Sequence, residues 1–127
     1  MAKYMLLIYT PVDGPPGGIE QEQMSSWFAY TDGLRNAGVL VDSAPLQGID
    51  TATTLRIRGG ETQTTDGPFA ETREFLGGYY VLECPDLDTA LQHAAGVPNL
   101  HYGSTEVRPL MDMAALSAEP AEAQAQA

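Results

Sequence analysis

Tyr4-Met5-Leu6-Leu7-Ile8-Tyr9 is an unbroken run of apolar, strand-forming residues that stops at Thr10-Pro11 and a Gly/Pro-rich loop, Asp13–Gly18. Such a run predicts a strand in the middle of a sheet, buried on both faces. Six residues are too few for a membrane span or the apolar core of a secretion signal. The loop glycines lack the Lys-Ser/Thr of a phosphate-binding loop, so the loop reads as a connection.

Downstream the period changes. Met24, Trp27, Phe28, Thr31 and Leu34 recur at helical spacing, and Gly38 is a natural stop, so a helix is predicted from about Gln21 to Ala37 with Trp27 and Phe28 in the core. Val39-Leu40-Val41 opens a second strand that Pro45 closes or pushes to an edge, followed by a Gln47–Ala52 loop. Thr53–Arg58 alternates, Gly59-Gly60 supplies a two-residue turn, and Glu61–Thr65 returns as a hairpin with one wet face. After Asp66-Gly67-Pro68-Phe69 and the polar stretch Ala70–Phe75, Leu76–Cys84 is the next strong strand. The glycine pair Gly77-Gly78 near its start predicts a bulge or the close approach of a ligand or backbone. Pro85-Asp86 caps a helix with apolar positions Leu87, Ala90, Leu91 and Ala94, ended by Gly96 and Pro98. Ser104–Leu110 is the last strand, with Thr105 and Val107 inward and Glu106 and Arg108 outward.

The order is β-α-β, hairpin, β-α-β. Two such halves on one sheet describe an α+β ferredoxin-like sandwich with an inserted β-hairpin. Two helices cover one face only, so the other face must be wet or buried in a homodimer. The domain is assigned to residues 1–113. Residues 114–127 hold seven alanines in fourteen residues and read as a flexible Ala-rich tail.

With 127 residues the chain is one domain, and 6 basic against 17 acidic residues give a net charge of −11. That field repels nucleic acid and anionic membranes, and the six cations are scattered singly. Cys84 is alone in an apolar strand, which excludes an intramolecular disulfide and a Cys-based zinc cluster and marks it as an inert buried residue. No His/Asp/Glu cluster has metal-site spacing, and no cofactor is expected. The default is a soluble cytoplasmic protein.

Asp66-Gly67-Pro68-Phe69 reads first as a tight turn: glycine takes a positive φ and proline fixes the next residue. Its functional reading is a carboxylate held rigidly at the mouth of a cleft. His101, in the loop before the last strand, is the better placed of two histidines for a base, because imidazole titrates near neutrality. His93 falls off the apolar stripe of its helix and reads as solvated. Tyr79 and Tyr80 must point to opposite sides of their strand.

Thr65-Asp66-Gly67-Pro68-Phe69-Ala70-Glu71-Thr72-Arg73-Glu74-Phe75-Leu76-Gly77-Gly78-Tyr79-Tyr80 resembles the signature of the DGPF branch of the YciI-related proteins. Lys3–Tyr9, Arg35–Leu40, Thr51–Thr54 and Glu106–Leu110 extend the resemblance over nearly all of residues 1–112. It implies a ferredoxin-like fold that dimerises sheet to sheet, the dimeric α/β barrel arrangement. Some relatives are similar to a dehydrochlorinase of chlorinated hydroxyquinols, in which a His on the first helix and an Asp act as a pair. Here residues 21–37 contain no His.

Two functions are therefore expected. The first binds or transforms a small aromatic or quinone-like molecule by acid–base chemistry, with Asp66 and His101 as catalytic residues and Arg73, Tyr79 and Tyr80 holding the substrate. The second is a non-catalytic dimeric accessory or regulatory protein, for example one associated with an extracytoplasmic-function sigma factor.

Overall fold

The Tyr4–Tyr9 run forms the middle of β1 (Ala2–Pro11) in a computed structural model that describes residues 1–13, 21–70 and 72–116. The chain continues through α1 (Gln21–Asn36), β2 (Leu40–Pro45), a 3₁₀ turn at Ile49–Thr51, β3 (Thr53–Arg58), β4 (Glu61–Asp66) and β5 (Glu74–Cys84). It ends with α2 (Leu87–Ala94), a second 3₁₀ turn at Pro98–His101, β6 (Ser104–Pro109) and the short α3 (Met113–Leu116). The predicted order of β-α-β, hairpin, β-α-β is present. Most of the Asp13–Gly18 loop and of the 114–127 tail lies outside the described residues.

Four strands make one sheet in the order β2-β5-β1-β6, each neighbouring pair antiparallel. β1 and β2 therefore run the same way with β5 between them, and β5 and β6 run the same way with β1 between them. These are two split β-α-β units.

One sheet face carries the core. Tyr4, Leu6 and Ile8 of β1 and Tyr80, Leu82 and Cys84 of β5 pack with Leu34 of α1, Ala90 and Ala94 of α2, and Val97. Leu6 and Leu82 are fully buried, and each contributes about 1.5–3 kcal/mol by leaving water. Cys84 is also fully buried, and burial pushes its thiol pKa up, as fits an inert strand residue. The expectation of burial on both faces holds for one only. Met5, Leu7 and Tyr9 are half-buried, and no element among the described residues covers the second face.

α1 departs from the predicted stripe. Leu34 is buried and Trp27, Tyr30 and Thr31 are half-buried, whereas Phe28 is 64% exposed and Met24 42%. At about 100° per residue, Phe28 falls a quarter-turn or more from the line joining Trp27, Tyr30 and Leu34. The helix is rotated by roughly one position from the sequence reading, which placed Phe28 inside and left Tyr30 out.

The hairpin turns at Gly59 and Gly60, with φ of 60° and 81°, a two-residue turn of primed type. It is a separate two-stranded sheet. Its predicted dry face is also exposed, with Leu55 at 66% and Ile57 at 75%. β5 begins two residues earlier than predicted. Its register slips so that Ile8 pairs with Gly78 and Tyr9 with Leu76, which makes Gly77 the bulge. A Cβ on Gly78 would stand 2.9 Å from the Ala44 carbonyl oxygen. The glycine pair thus lets neighbouring backbone approach.

Candidate functional site

α1 and the segment following α2 are parted by a hollow of about 590 Å³. Gln23, Trp27 and Tyr30 line it from α1, and Pro98, His101 and Tyr102 from the opposite side. The rotation of α1 that exposes Phe28 turns Gln23 and Tyr30 towards this space.

The aromatic wall is held from behind. Trp27 stacks nearly parallel to Tyr80, with centroids 6.5 Å apart and an interplanar angle of 5°. Tyr30 meets Tyr80 edge-on at 5.4 Å and 90°. The Thr31 hydroxyl donates to the Trp27 carbonyl at 3.0 Å, so its 2.7 Å contact with Tyr80 has the tyrosine as donor. Tyr30 donates to the His93 carbonyl at 2.8 Å, joining α1 to the end of α2. Gly96 permits that approach, as a Cβ there would lie 3.3 Å from the Tyr30 ring. Burial pushes the Tyr30 and Tyr80 phenols well up. Both are protonated donors at neutral pH and neither is a base.

The opposite wall is positioned by Asn99, which is fully buried. Its Nδ2 donates to the carbonyls of Tyr9 at 2.9 Å and Ser104 at 3.1 Å, and its Oδ1 accepts from the Thr105 hydroxyl at 3.0 Å. One amide ties the turn carrying His101 and Tyr102 to both β1 and β6. Gly103 must be glycine here, because a Cβ would run into the Tyr9 carbonyl oxygen.

One polar atom in this region is unsatisfied: Gln23 Oε1 is buried and has no hydrogen-bond partner among the described residues. A buried acceptor without a donor is destabilising by about 1–3 kcal/mol. Among the described residues, no acidic side chain lines the hollow. Among the described residues, no group of three or more His, Cys, Asp and Glu is placed to hold a metal ion. No helix there is long and apolar enough to cross a membrane.

The model of the YCII-related domain matches residues 2–114. The chain belongs to the YCII-related domain family. An uncharacterized protein of Rhizobium meliloti (strain 1021) is 49% identical over 76 residues, 58% of this chain and 61% of that protein. The chain thus spans about three-fifths of the relative's length.

Within this YCII-related domain the expected site residues lie in three places. His101 lines the hollow, and Tyr80 backs its aromatic wall from the core face of the sheet. Tyr79, on the adjacent position of β5, faces the uncovered side, where it donates to Asp42 Oδ2 at 3.2 Å. That hydrogen bond raises its phenol pKa. Asp66 ends β4 and is exposed, and Arg73 is exposed just before β5, its carbonyl accepting from Val12 at 2.8 Å. No hydrogen bond or ion pair joins any two of these five residues.

The Asp66-Gly67-Pro68-Phe69 turn is tied to the hairpin. Gly67, at φ 108°, donates to the Ala52 carbonyl at 2.7 Å, and its own carbonyl accepts from the Thr54 hydroxyl at 2.8 Å. Arg56 donates to the Phe69 carbonyl. Glycine is required at that φ. Gln23, Tyr30 and Tyr102 were missed from sequence. The one available signal is spacing: Tyr30 lies three residues after Trp27 and four before Leu34, on the other flank of the stripe Met24/Trp27/Phe28/Thr31/Leu34.

Proposed function

We propose that this domain binds a small organic molecule in the hollow between α1 and the Pro98–Tyr102 segment. The observation that carries this is one concave space lined by three aromatic side chains and an imidazole. A volume of a few hundred Å³, mostly apolar with a few convergent polar groups, is the usual form of a ligand site. His101 is the member of the expected acid–base pair that lines it, while Asp66 ends the hairpin and Arg73 lies beside the end of β1. Binding is therefore favoured over catalysis within one chain.

We also propose the ferredoxin-like assignment, the DGPF branch and the sheet-to-sheet homodimer. The strand order β2-β5-β1-β6 with split β-α-β units supports the first, and the Asp66–Phe69 turn the second. The homodimer is supported by an uncovered face on which Met5 pairs with Val81 and Leu7 with Tyr79, and by the exposed Leu55 and Ile57 of the hairpin. Contiguous apolar surface of this kind marks an interaction site.

A thermal-shift screen of small organic molecules on the full chain tests the binding reading. A ligand at about 100 times its Kd stabilises the fold by about 2.7 kcal/mol. Ala29→Trp, which places a large ring on a helix position lining the hollow, should abolish the shift. A shift that survives this substitution would locate the ligand elsewhere.

A further inference from the structure

Resting on the homodimer reading, we infer that the β3–β4 hairpin is an arm that each copy of this chain lays on the other. The hairpin is inserted between β2 and β5 but belongs to a sheet of its own. β3 and β4 pack on each other and hardly touch any other element of the described residues. Within Thr53–Asp66, every residue but Thr54 is exposed. Leu55 and Ile57 share one face with their cross-strand partners Thr64 and Thr62, and that face stays open. A lone two-stranded hairpin is at best marginally stable in water. Its base is nonetheless fixed: Gly67 donates to the Ala52 carbonyl, Thr54 to the Gly67 carbonyl and Arg56 to the Phe69 carbonyl. The Asp66–Phe69 turn, which the hollow leaves unused, thus sets the direction of the arm.

Symmetry, reach and charge each favour a second copy as the occupant. The uncovered sheet face around Met5, Leu7 and Tyr79 is another open surface of the same chain. A two-fold dimer closes both surfaces at once, because each copy offers an arm and receives one. β3 and β4 are six residues each, so the arm extends about 20 Å, enough to cross four strands spaced about 4.8 Å apart. Leu55, Ile57, Thr62 and Thr64 bear no charge, and Arg56 and Arg58 balance Glu61 and Asp66, so the arm is neutral on a chain of net charge −11. It is the part of the molecule that meets an equally acidic copy without repulsion. Arg58, beside the turn, makes no ion pair among the described residues and is free to meet a carboxylate of that copy.

The test is sedimentation equilibrium of the full chain and of a double variant, Leu55→Thr with Ile57→Thr. Both positions are exposed within one chain and threonine suits a strand, so the variant should fold. Its dimer dissociation constant should rise at least about tenfold, as the loss of two buried aliphatic side chains requires. In the Leu7→Asp background, which breaks the sheet contact, the same two changes should leave the melting temperature unmoved. The exchange itself is read by placing p-benzoylphenylalanine at Thr62, on the open face, and mixing that chain with an isotope-labelled parent. Irradiation should join the arm to labelled peptides of the second copy. A parent dimer whose dissociation constant the double variant leaves unchanged would overturn the arm and leave the sheet-to-sheet dimer standing. So would cross-links confined to one chain, or a lowered melting temperature in the Leu7→Asp background, since either would show the hairpin packing on its own chain. A parent of one chain mass at every concentration would overturn both readings.

Discussion

Asn99 is polar, fully buried and satisfied at both ends of its amide, with three partners on two different strands. Replacing it with alanine strands the Tyr9 and Ser104 carbonyls without their side-chain donor and leaves a small void. Asn99→Ala should lower unfolding stability by about 2–4 kcal/mol, read from urea denaturation. It should also weaken any ligand of the hollow, because the His101–Tyr102 wall loses its tether. A loss under about 0.5 kcal/mol would show that the turn is held by its backbone alone. Nothing in the sequence marks Asn99, since a buried amide earns its partners only when the topology brings β1 and β6 alongside. The glycine pair was legible for the opposite reason: strand interiors disfavour glycine, so Gly77-Gly78 signals a local geometric demand whatever surrounds it. Gln23 carries no such signal, as glutamine is ordinary on any helix.

Among the elements, α2 and the hairpin were the most legible, because each is set by short-range chemistry. Asp86 accepts from the Thr89 N–H at 2.8 Å and the Thr89 hydroxyl at 2.7 Å, as its position before the apolar run predicts. Those two bonds, the backbone one first, hold its carboxyl pKa below the ordinary value. A carboxylate whose folded pKa is depressed stabilises the fold above its unfolded pKa of about 4 and loses that contribution as pH falls through the folded value. Asp86→Ala should therefore melt below the parent at pH 7, and the gap should close steadily as the pH is lowered below about 4. A gap that persists unchanged at low pH would mean that charge plays no part in the cap. α1 was read one position out of phase, because its two aromatic pairs offer overlapping stripes. The choice between them rests on Tyr80 and Gly96, which are distant in sequence and give Trp27 and Tyr30 something to pack against.

For the molecule as a whole, the element order of two split β-α-β units and a hairpin follows from local patterns, and so does the placing of β1 in the middle of the sheet. What lay beyond the sequence was which cleft those elements create. Of the expected site residues, His101 lines the hollow, which opens on the helix side of the sheet, whereas catalytic Asp66 and substrate-holding Arg73 and Tyr79 do not. The uncovered sheet face should be paired in solution: light scattering should give twice the 13.6 kDa chain mass, and Leu7→Asp should return it to one chain mass with the fold intact. A parent chain that scatters as a single copy at micromolar concentration would refute the homodimer. The central claim, that the hollow is where this domain takes a small molecule, has a built-in reporter. Trp27 is the chain's single tryptophan and forms part of the wall. Titrating the full chain with the small organic molecule that gives the largest thermal shift, while following tryptophan emission, should give a saturable change whose midpoint equals the Kd from calorimetry. Binding seen by calorimetry with no change in Trp27 emission would contradict the account.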